Sequence, residues 1–428
     1  MAVRDIFETV FLILSIIMTA LTFYQLIYIV IGLFGRKIKN RRNPAVMHRY
    51  AAVIPARNEE TVIANIIRSL KKQNYPAELL DIYVLADNCT DDTAAKARGA
   101  GALVYERTDT VLRGKGYAMD WFFDRLSSEG KDVYDGFFVF DADNLVSPDF
   151  VREMNRMFDT GEYGAITSYR NSTNFGRNWI TAGYAIWFLR EARYLNRPRQ
   201  LLGTNCHISG TGFLISAELI RKNGGWPYNL LTEDIQFSVD CAKNNVRIGF
   251  CENAVVYDEQ PETFRQSWHQ RLRWSKGFLQ VNAKYGTSIV REFFSLDLRH
   301  AWSCYDMFGL IIPSVLGVVL PFMAVFALIS LLFVIPGFLL NGAAVELGMT
   351  ILEFLSAYYA GMFSYGLLTT ITEWKHIHTT PARKILYNFT FPIFMITYVP
   401  INIAAFFKKK VAWKHIEHLG KNTPKVLQ

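Results

Sequence analysis

Residues 137–143 read Phe-Phe-Val-Phe-Asp-Ala-Asp, an apolar run that ends in two acids. Four consecutive apolar residues are typical of a strand buried on both faces, and two carboxylates follow at its end. Residues two apart leave a strand on the same side, so Asp141 and Asp143 can converge on one point. Such hard oxygen ligands, completed by substrate phosphates, suit Mg²⁺ or Mn²⁺. We interpret the pair as a metal site, and a solvated turn or a helix cap is the alternative.

Around this stretch, from Arg49 to about Lys284, short apolar runs alternate with helical patterns. The predicted strands are Ala51–Ala56, Ile82–Ala86, Ala102–Tyr105 and Phe137–Phe140. The predicted helices between and after them are Glu60–Gln73, Asp91–Arg98 and Tyr117–Leu126. This alternation predicts an α/β domain with a mostly parallel sheet, and ligands bind such sheets beyond the carboxyl ends of the strands. Polar clusters follow three of these strands: Arg57-Asn-Glu-Glu, Asp87-Asn-Cys-Thr-Asp and Asp141-Ala-Asp.

The two ends of the chain are strongly apolar. Hydrophobic residues make up 51% of the sequence, and Ile6–Phe34 carries only a few polar side chains. About 20 apolar residues cross a bilayer, so this stretch is long enough to span. The basic cluster that follows, from Arg36 to Arg42, favours the cytosolic side. We therefore expect the amino terminus outside and the central domain in the cytosol.

Three C-terminal stretches are also long enough to span: Met307–Leu340, Val345–Ile371 and Ile385–Phe407. Three crossings would place the C-terminal tail outside, whereas the lysines at 408–410 favour the inside. Pro392 and Pro400 interrupt the last stretch, which is therefore either a crossing or a broken, re-entrant element.

The net charge of +8 does not indicate a nucleic-acid partner. The basic residues concentrate beside apolar segments, where anionic lipid attracts them, and no basic stripe with interleaved aromatic residues is visible. The five cysteines show no C-x-x-C spacing, which argues against a zinc site and against a disulfide framework.

Two further motifs have an ordinary structural interpretation beside a functional one. Thr232-Glu-Asp234 opens a predicted helix, and locally its residues are typical of helix capping, so Asp234 becomes a candidate general base only through the other motifs. Gln270-Arg-Leu-Arg-Trp274 lies on a basic amphipathic helix, which is typical of a membrane-surface anchor. Arg273 and Trp274 could also offer a cation to a diphosphate and an aromatic face to a sugar.

Together these motifs resemble the processive family 2 glycosyltransferases, the group that includes the synthases of cellulose, chitin, hyaluronan and poly-N-acetylglucosamine. The marks of that family are an early Asp after a strand, D-x-D, T-E-D and Q-x-x-R-W, present here as Asp87, Asp141-Ala-Asp143, Thr232-Glu-Asp234 and Gln270–Trp274. The resemblance runs from Ala51 to about Gln280. It implies a GT-A fold, Rossmann-like with a mostly parallel sheet, flanked by transmembrane helices.

The resemblance also implies an activity: inverting transfer of a sugar, N-acetylglucosamine or glucose, from a UDP-sugar to a growing β-linked polysaccharide at the cytosolic membrane face. Asp87 would hold the uridine, and Lys115 and Arg273 would bind the diphosphate. Asp143 would bind the metal, and Asp141 beside it would contact both the metal and the donor. Asp234 would deprotonate the acceptor hydroxyl, and Gln270 and Trp274 would bind the acceptor. Gly210 and Thr211, in Ser209-Gly-Thr-Gly212, resemble the acceptor-side loop, with a strand-entry turn as the alternative. The family's D-D-x-S is Ala86-Asp87-Asn88-Cys89 here, so its first acid is missing.

The resemblance divides the chain into five parts: an N-terminal membrane helix with its basic flank (1–42), the GT-A domain (43–260), interfacial helices (261–304), C-terminal membrane segments (305–407) and a basic tail (408–428). It implies a multi-pass cell-membrane protein whose partners are a UDP-sugar, a saccharide or lipid-linked acceptor, membrane lipid and an accessory subunit, and not nucleic acid. Three other functions stay open: a transferase that glycosylates a membrane lipid once, a transporter with a nucleotide-binding domain, and an inactive scaffold that senses sugar nucleotides.

Overall fold

The computed structural model of the chain describes residues 9, 12, 16, 19, 23–36, 38, 44–334, 343–409 and 411. The strands of these residues are β1 (Tyr50–Ala56), β2 (Leu80–Asp87), β3 (Leu103–Arg107), β4 (Gly136–Val139), β5 (Leu145–Val146), β6 (Ala165–Ser172), β7 (Phe213–Ser216) and β8 (Ile248–Asp258). The α-helices of the first half are α1 (Tyr24–Phe34), α2 (Ile63–Lys71), α3 (Thr93–Gly99), α4 (Lys115–Ser128), α5 (Phe150–Phe158), α6 (Trp179–Glu191) and α7 (Arg197–Leu202). Those that follow are α8 (Ala217–Asn223), α9 (Glu233–Lys243), α10 (Phe264–Arg291), α11 (Leu298–Val334), α12 (Ala343–Thr372), α13 (Pro381–Ile396) and α14 (Tyr398–Phe407). Short 3₁₀ turns span Ala77–Leu79 and Glu292–Phe294, and a π-helical turn spans Ala192–Asn196.

The eight strands form one sheet in the order β3-β2-β1-β4-β7-β6-β8-β5. Strands β1 to β4 are mutually parallel, as the sequence predicts. Beyond β4 the prediction of a mostly parallel sheet is wrong, because β7 enters antiparallel between β4 and β6, and β5 pairs antiparallel with β8. Helices also separate the later strands along the chain, and β6 and β8 pair in parallel, but β7 runs opposite to both of its neighbours. The fold is therefore an α/β fold with a mixed sheet.

The sheet is covered on both faces. Successive side chains of β1 point to opposite faces: Ala51 and Val53 join one apolar cluster, whereas Ala52 and Ile54 join the other. All four are fully buried. Helices α4 and α6 contribute to the first cluster, and α2, α3 and α5 to the second. A central strand buried on both faces needs the near-continuous apolar run that the sequence shows at 50–56.

The carboxyl ends of β1, β2 and β4 lie side by side at one edge of the sheet. Strand β1 is registered with both neighbours, Val53 against Tyr83 of β2 and Val53 against Val139 of β4. The polar segments that follow these strands therefore leave the sheet together. This arrangement positions the candidate site.

The predicted membrane segments correspond to helices wherever the structure describes them. Helix α1 covers the end of the first predicted span, α11 and α12 cover most of the next two, and α13 and α14 cover the last. Before α1 the structure describes only residues 9, 12, 16, 19 and 23 of the first span. The basic residues of its flank other than Arg36, the link at 335–342, residue 410 and the tail beyond 411 lie outside the described residues. Within the described residues, one stretch, Pro381–Phe407, has the length and mean hydropathy (1.6) of a membrane crossing, and 28% of its most apolar window is buried.

The last stretch is broken between α13 and α14. The break falls at Thr397, three residues before Pro400. A proline has no backbone N–H, so Pro400 cannot donate the helical hydrogen bond to the carbonyl of Ile396. The expectation of an interrupted element is therefore met in the backbone, whereas its relation to a bilayer stays a prediction.

Candidate active site

Acidic side chains follow the three adjacent strands at the carboxyl edge of the sheet. Glu59 lies just beyond β1, Asp87 ends β2, and Asp141 and Asp143 follow β4. Glu59 is buried, and its pKa is raised to about 9 by that burial and next by the charges of Asp143 and Asp141. Three of the four carboxyl groups thus share one region of negative potential.

A glycine-containing loop, Ser209–Gly212, lies against the turn that carries Asp141. The backbone N–H of Asp141 donates to Thr211 Oγ1 (2.9 Å) and to Asn144 Oδ1 (3.1 Å). The Thr211 hydroxyl donates in turn to Asn144 Oδ1. Gly212 has a φ of +66°, and a Cβ there would lie 2.6 Å from Val256 Cγ1, so only glycine fits. The loop is therefore fixed beside the Asp-Ala-Asp turn.

Lys115 connects this loop to the acidic turn. Its Nζ donates to Asp141 Oδ1 (2.6 Å) and to the carbonyl oxygen of Gly210 (2.6 Å), and lies 3.9 Å from Glu233 Oε1. Burial alone would lower the pKa of Lys115, but the carboxylates of Asp141 and Glu233 raise it. The ammonium is thus held as a cation at the centre of the site.

Glu233 and Asp234 open helix α9 on the other side of Lys115. Burial, and next the charge of Asp234, raises the pKa of Glu233 to about 7, against the opposing charges of Lys115 and Arg273. Burial also raises the pKa of Asp234, against hydrogen bonds from the backbone N–H groups of Ile235 and Gly210 and the charges of Lys115 and Arg273. An Asp whose pKa is raised is a stronger base than an ordinary one.

Asp87 lies deeper than the other acids and already has a strong partner. Its Oδ1 accepts from Arg107 Nη1 (2.7 Å), and both side chains are buried. Asn88 Nδ2 donates to the same oxygen (2.9 Å), and the Asn88 φ of +53° places this residue in the left-handed region. Ala86 stands where the family pattern D-D-x-S has its first acid. Arg107 is the charge partner of the second acid, Asp87.

Helix α10 carries the Gln270–Trp274 motif alongside the site. Arg273 Nη1 donates to the carbonyl of Leu231 (2.8 Å), just before Glu233. Gln270 Oε1 is buried with no hydrogen-bond partner among the residues that the structure describes. The half-buried Trp274 meets Tyr184 edge-on (5.7 Å between ring centroids) and Phe188 at 6.2 Å. The guanidinium of Arg170 lies 3.7 Å from the Phe188 ring.

The site fits a hard divalent cation only in part. In the described part of the chain, no group of three or more His, Cys, Asp or Glu side chains is arranged to hold a metal ion alone. Asp141 and Asp143 nevertheless offer carboxylate oxygens, and Glu59 adds a third carboxyl group to their field. Mg²⁺ and Mn²⁺ are commonly held by one or two carboxylates together with substrate phosphates.

Several site residues were missed from the sequence. Glu59 lies in the Arg57-Asn-Glu-Glu segment, for which the sequence predicts no role, and the sequence marks Glu233 only as the middle residue of Thr232-Glu-Asp234. Arg107 ends β3, and Arg170 of β6 pairs with Asp258 of β8 and donates to the Ser209 carbonyl (2.8 Å). Nothing in the local sequence marks these arginines as site residues, because Asp87 lies 20 residues from Arg107 and Asp258 lies 88 residues from Arg170.

Comparisons with known proteins give matches for the part of the chain that carries the site. A family model described as "Glycosyltransferase like family 2" matches residues 48–277, more than half of the chain. The β-monoglucosyldiacylglycerol synthase of Synechocystis sp. is 27% identical over 238 residues, which are 54% of this chain and 48% of that protein. The probable glycosyltransferase YdaM of Bacillus subtilis is 26% identical over 303 residues, 67% of this chain and 70% of that one.

A polymer synthase is among the relatives as well. The poly-β-1,6-N-acetyl-D-glucosamine synthase of Staphylococcus aureus is 26% identical over 274 residues, 61% of this chain and 60% of that protein. The chain thus spans about half the length of the Synechocystis relative and three fifths of the Staphylococcus one.

Among solved structures, the mannosyltransferase PcManGT of Pyrobaculum calidifontis, in complex with GDP-Man and Mn²⁺, has a similar fold. The TM-score is 0.53 at 18% sequence identity, and the alignment covers 83% of this chain and 96% of that one. At this identity the likeness concerns the fold alone.

Proposed function

The chain belongs to glycosyltransferase-like family 2, and on that premise we propose that it transfers a sugar from a UDP-sugar to a growing β-linked polysaccharide with inversion at the sugar carbon. The observation that carries the proposal is the meeting of Lys115, Asp141, Gly210 and Asp234 at one edge of the sheet. One cation, one acidic turn and one carboxylate of raised pKa are the groups that a single displacement needs.

Asp234 is the general base in this proposal. Inversion requires the acceptor oxygen to attack from the face opposite the departing diphosphate, and one aligned carboxylate suffices to take its proton. Backbone hydrogen bonds from Ile235 and Gly210 fix the Asp234 carboxylate. Holding acceptor and base in line supplies much of the remaining rate.

The opposite side of the site receives the donor. Asp87, at the end of β2, would bind the nucleoside, with Arg107 holding the Asp87 carboxylate in place. Lys115 and Arg273 would carry the diphosphate, and Lys115 can exchange its contact with Asp141 for a phosphate oxygen. Asp143, with Asp141 beside it, would hold Mg²⁺ or Mn²⁺, which when bound would neutralise charge on the leaving diphosphate.

Acceptor binding involves the loop and helix α10. Gly210 and Thr211 lie beside Asp234 and the Asp141 turn, and Gln270 presents a buried oxygen without a partner among the described residues. The half-buried Trp274 would stack on the terminal sugar of the acceptor. A chain held in this way need not dissociate between additions, and its far end would enter the adjacent helices.

We further propose that the chain is a multi-pass membrane protein with this site on the cytosolic face, divided as the sequence predicts. Helix α10 packs against α11 and α14, and Leu272, within the motif that would hold the acceptor, packs on Ile401 and Ala405 of α14. The Pro381–Phe407 stretch supports one crossing. An accessory subunit and membrane lipid remain proposed partners.

A second candidate function is the single glycosylation of a membrane lipid. It is favoured by the similarity to the Synechocystis glucosyldiacylglycerol synthase. The reaction products distinguish polysaccharide synthesis from single glycosylation of a lipid. Incubation of the purified protein in nanodiscs with UDP-N-acetylglucosamine or UDP-glucose should give a ladder of saccharides on gels or by mass spectrometry. A lipid carrying a single sugar with every donor would replace the polysaccharide proposal by the glycolipid one.

Trp274→Ala should shorten the saccharide products while leaving UDP release by donor hydrolysis partly intact. Losing the aromatic face removes about 1 kcal/mol of stacking, roughly a fivefold rise in the acceptor KM. Trp268→Ala, on the same helix but packed towards Ile401, is the matched control and should keep elongation. Product length and UDP release are measured side by side. Unchanged product length in the Trp274 variant would remove this residue from acceptor binding.

A further inference from the structure

We propose that Glu191 and His207 are positioning residues for the base, at one end of a buried polar chain that ties the Ser209–Gly212 loop to helices α1 and α11. The inference rests on the proposed function of Asp234. None of the motifs used above includes Glu191, His207, Arg199 or Asp306. All four side chains are at least 91% buried, so none is held by contact with water.

The buried polar chain begins at the end of α6, beside the Ser209–Gly212 loop. Glu191 Oε2 lies 3.2 Å from His207 Nε2. Burial alone would raise the pKa of Glu191, but the electrostatic attraction of His207, and next the hydrogen bonds from His207 and Ser209 and the charge of Arg170, lower it. Arg170 also donates to the Ser209 carbonyl (2.8 Å). The Glu191 carboxylate thus helps to hold the first residue of the loop.

His207 continues the chain, and its ring nitrogens have fixed roles. Its Nδ1 lies 2.5 Å from Arg199 Nη1. A guanidinium has donors and no acceptor, so Nδ1 must accept and the ring proton must lie on Nε2. The Nε2–H then donates to Glu191. Reversing the tautomer would break both contacts, so the ring has a single satisfied orientation.

Arg199 and Asp306 close the chain at the apolar helices. Arg199 Nε and Nη2 donate to the two oxygens of Asp306 (2.6 and 2.7 Å). The same oxygens accept from the hydroxyls of Tyr24 and Tyr28 on α1 (2.8 Å each). A buried pair of this kind contributes fixed geometry more reliably than stability. Asp306 lies on α11, so the two helices and the domain share one anchor.

The other end of the chain reaches the base through Gly210. This residue follows Ser209, has a φ of +78°, and offers its carbonyl to Lys115 and its N–H to Asp234. A Cβ at Gly210 would lie 3.9 Å from Asp234 Oδ2. A shift of the loop would therefore move the base and the cation together. Misplacing a reacting group by about 1 Å can cost about a hundredfold in rate.

The test compares Glu191→Gln with Asp132→Asn in the full chain in nanodiscs. Glutamine keeps the size and an acceptor oxygen of Glu191 but loses the charge. Asp132 is the control, because it also pairs with an arginine, Arg221, but at the surface. Glu191→Gln should lower kcat at least about tenfold and leave the Kd for UDP unchanged, since the nucleoside contacts lie at another strand end. Amide hydrogen exchange of residues 205–213 should also become faster in this variant and not in the control.

A second pair of variants covers the case in which Glu191→Gln fails to fold. His207→Ala should reproduce the loss of kcat and the faster exchange. His207→Gln should recover part of the kcat and part of the slow exchange, because the glutamine amide can accept from Arg199 and donate to Glu191. Unchanged kcat and unchanged loop exchange would overturn the proposal, and so would a parallel loss of kcat and UDP affinity. The exchange measurement needs no turnover. A wild-type protein that transfers no sugar would therefore overturn the proposed function, while the exchange measurement would still test the role of the buried polar chain.

Discussion

Asp234→Asn should stop sugar transfer, with kcat falling about 10²- to 10⁴-fold, the range attributed to general-base catalysis. Asparagine has the size of aspartate and keeps an oxygen for the backbone N–H groups of Ile235 and Gly210, so the fold and the loop should persist. The asparagine amide cannot take the proton from the acceptor hydroxyl at neutral pH. The Kd for UDP should stay within about twofold of wild type, and transfer of labelled sugar is the measurement.

Asp240→Asn is the matched control for this substitution. Asp240 lies on the same helix, α9, and accepts a hydrogen bond from the Tyr228 hydroxyl (2.9 Å) away from the site. This variant should keep wild-type kcat. If the Asp234 variant lost UDP binding together with transfer, Asp234 would be a capping residue at the start of α9 and not the base.

Asp143→Asn should reduce transfer by roughly a hundredfold or more, and excess EDTA should abolish transfer in the wild type. The reason is that a metal ion supplies several kcal/mol of charge stabilisation to a departing diphosphate. Added Mn²⁺ or Mg²⁺ should restore the chelated wild type fully and the variant only weakly. Initial rates over a range of metal concentrations give both results.

Asp149→Asn serves as the control for the metal experiment. Asp149 follows the same turn, but its carboxylate accepts from Asn74 Nδ2 (2.7 Å) and pairs with Arg152, outside the site. The activity and the metal dependence of the Asp149→Asn variant should match those of the wild type. Full wild-type activity in excess EDTA would exclude a metal role for Asp143.

The first half of the sheet could be predicted because its signals are local. The run Ala51–Ala56 was predicted as a strand and the structure has Tyr50–Ala56, since a strand buried on both faces needs a continuous apolar run. The sequence offers a strand after Ser209–Gly212 only through the alternative of a strand-entry turn, and nothing in it predicts how β7 pairs. Strand β7 is only four residues long, Phe213–Ser216, and its antiparallel pairing with β4 depends on a tertiary contact that no periodicity encodes.

The site was predictable where residues follow strand ends and not where distant residues pair. Lys115 contacts both Asp141 and Gly210 of the loop, whereas the roles that the resemblance implies for them stay predictions. The partner of Asp87 could not be predicted, because Arg107 lies at the end of the next strand. Asp306 was also missed: a single acid beside an apolar run carries no signal until Arg199 and the two tyrosines are seen around it.

The most direct test of the central claim is transfer of labelled sugar by the purified full chain in nanodiscs with Mn²⁺, supplied in turn with UDP-N-acetylglucosamine, UDP-glucose and other UDP-sugars. We predict that one donor gives a labelled saccharide or lipid-linked product together with UDP, and that Asp234→Asn gives neither above the blank. Labelled product formed equally well by the wild type and the Asp234 variant would contradict the account, as would the absence of transfer from every UDP-sugar.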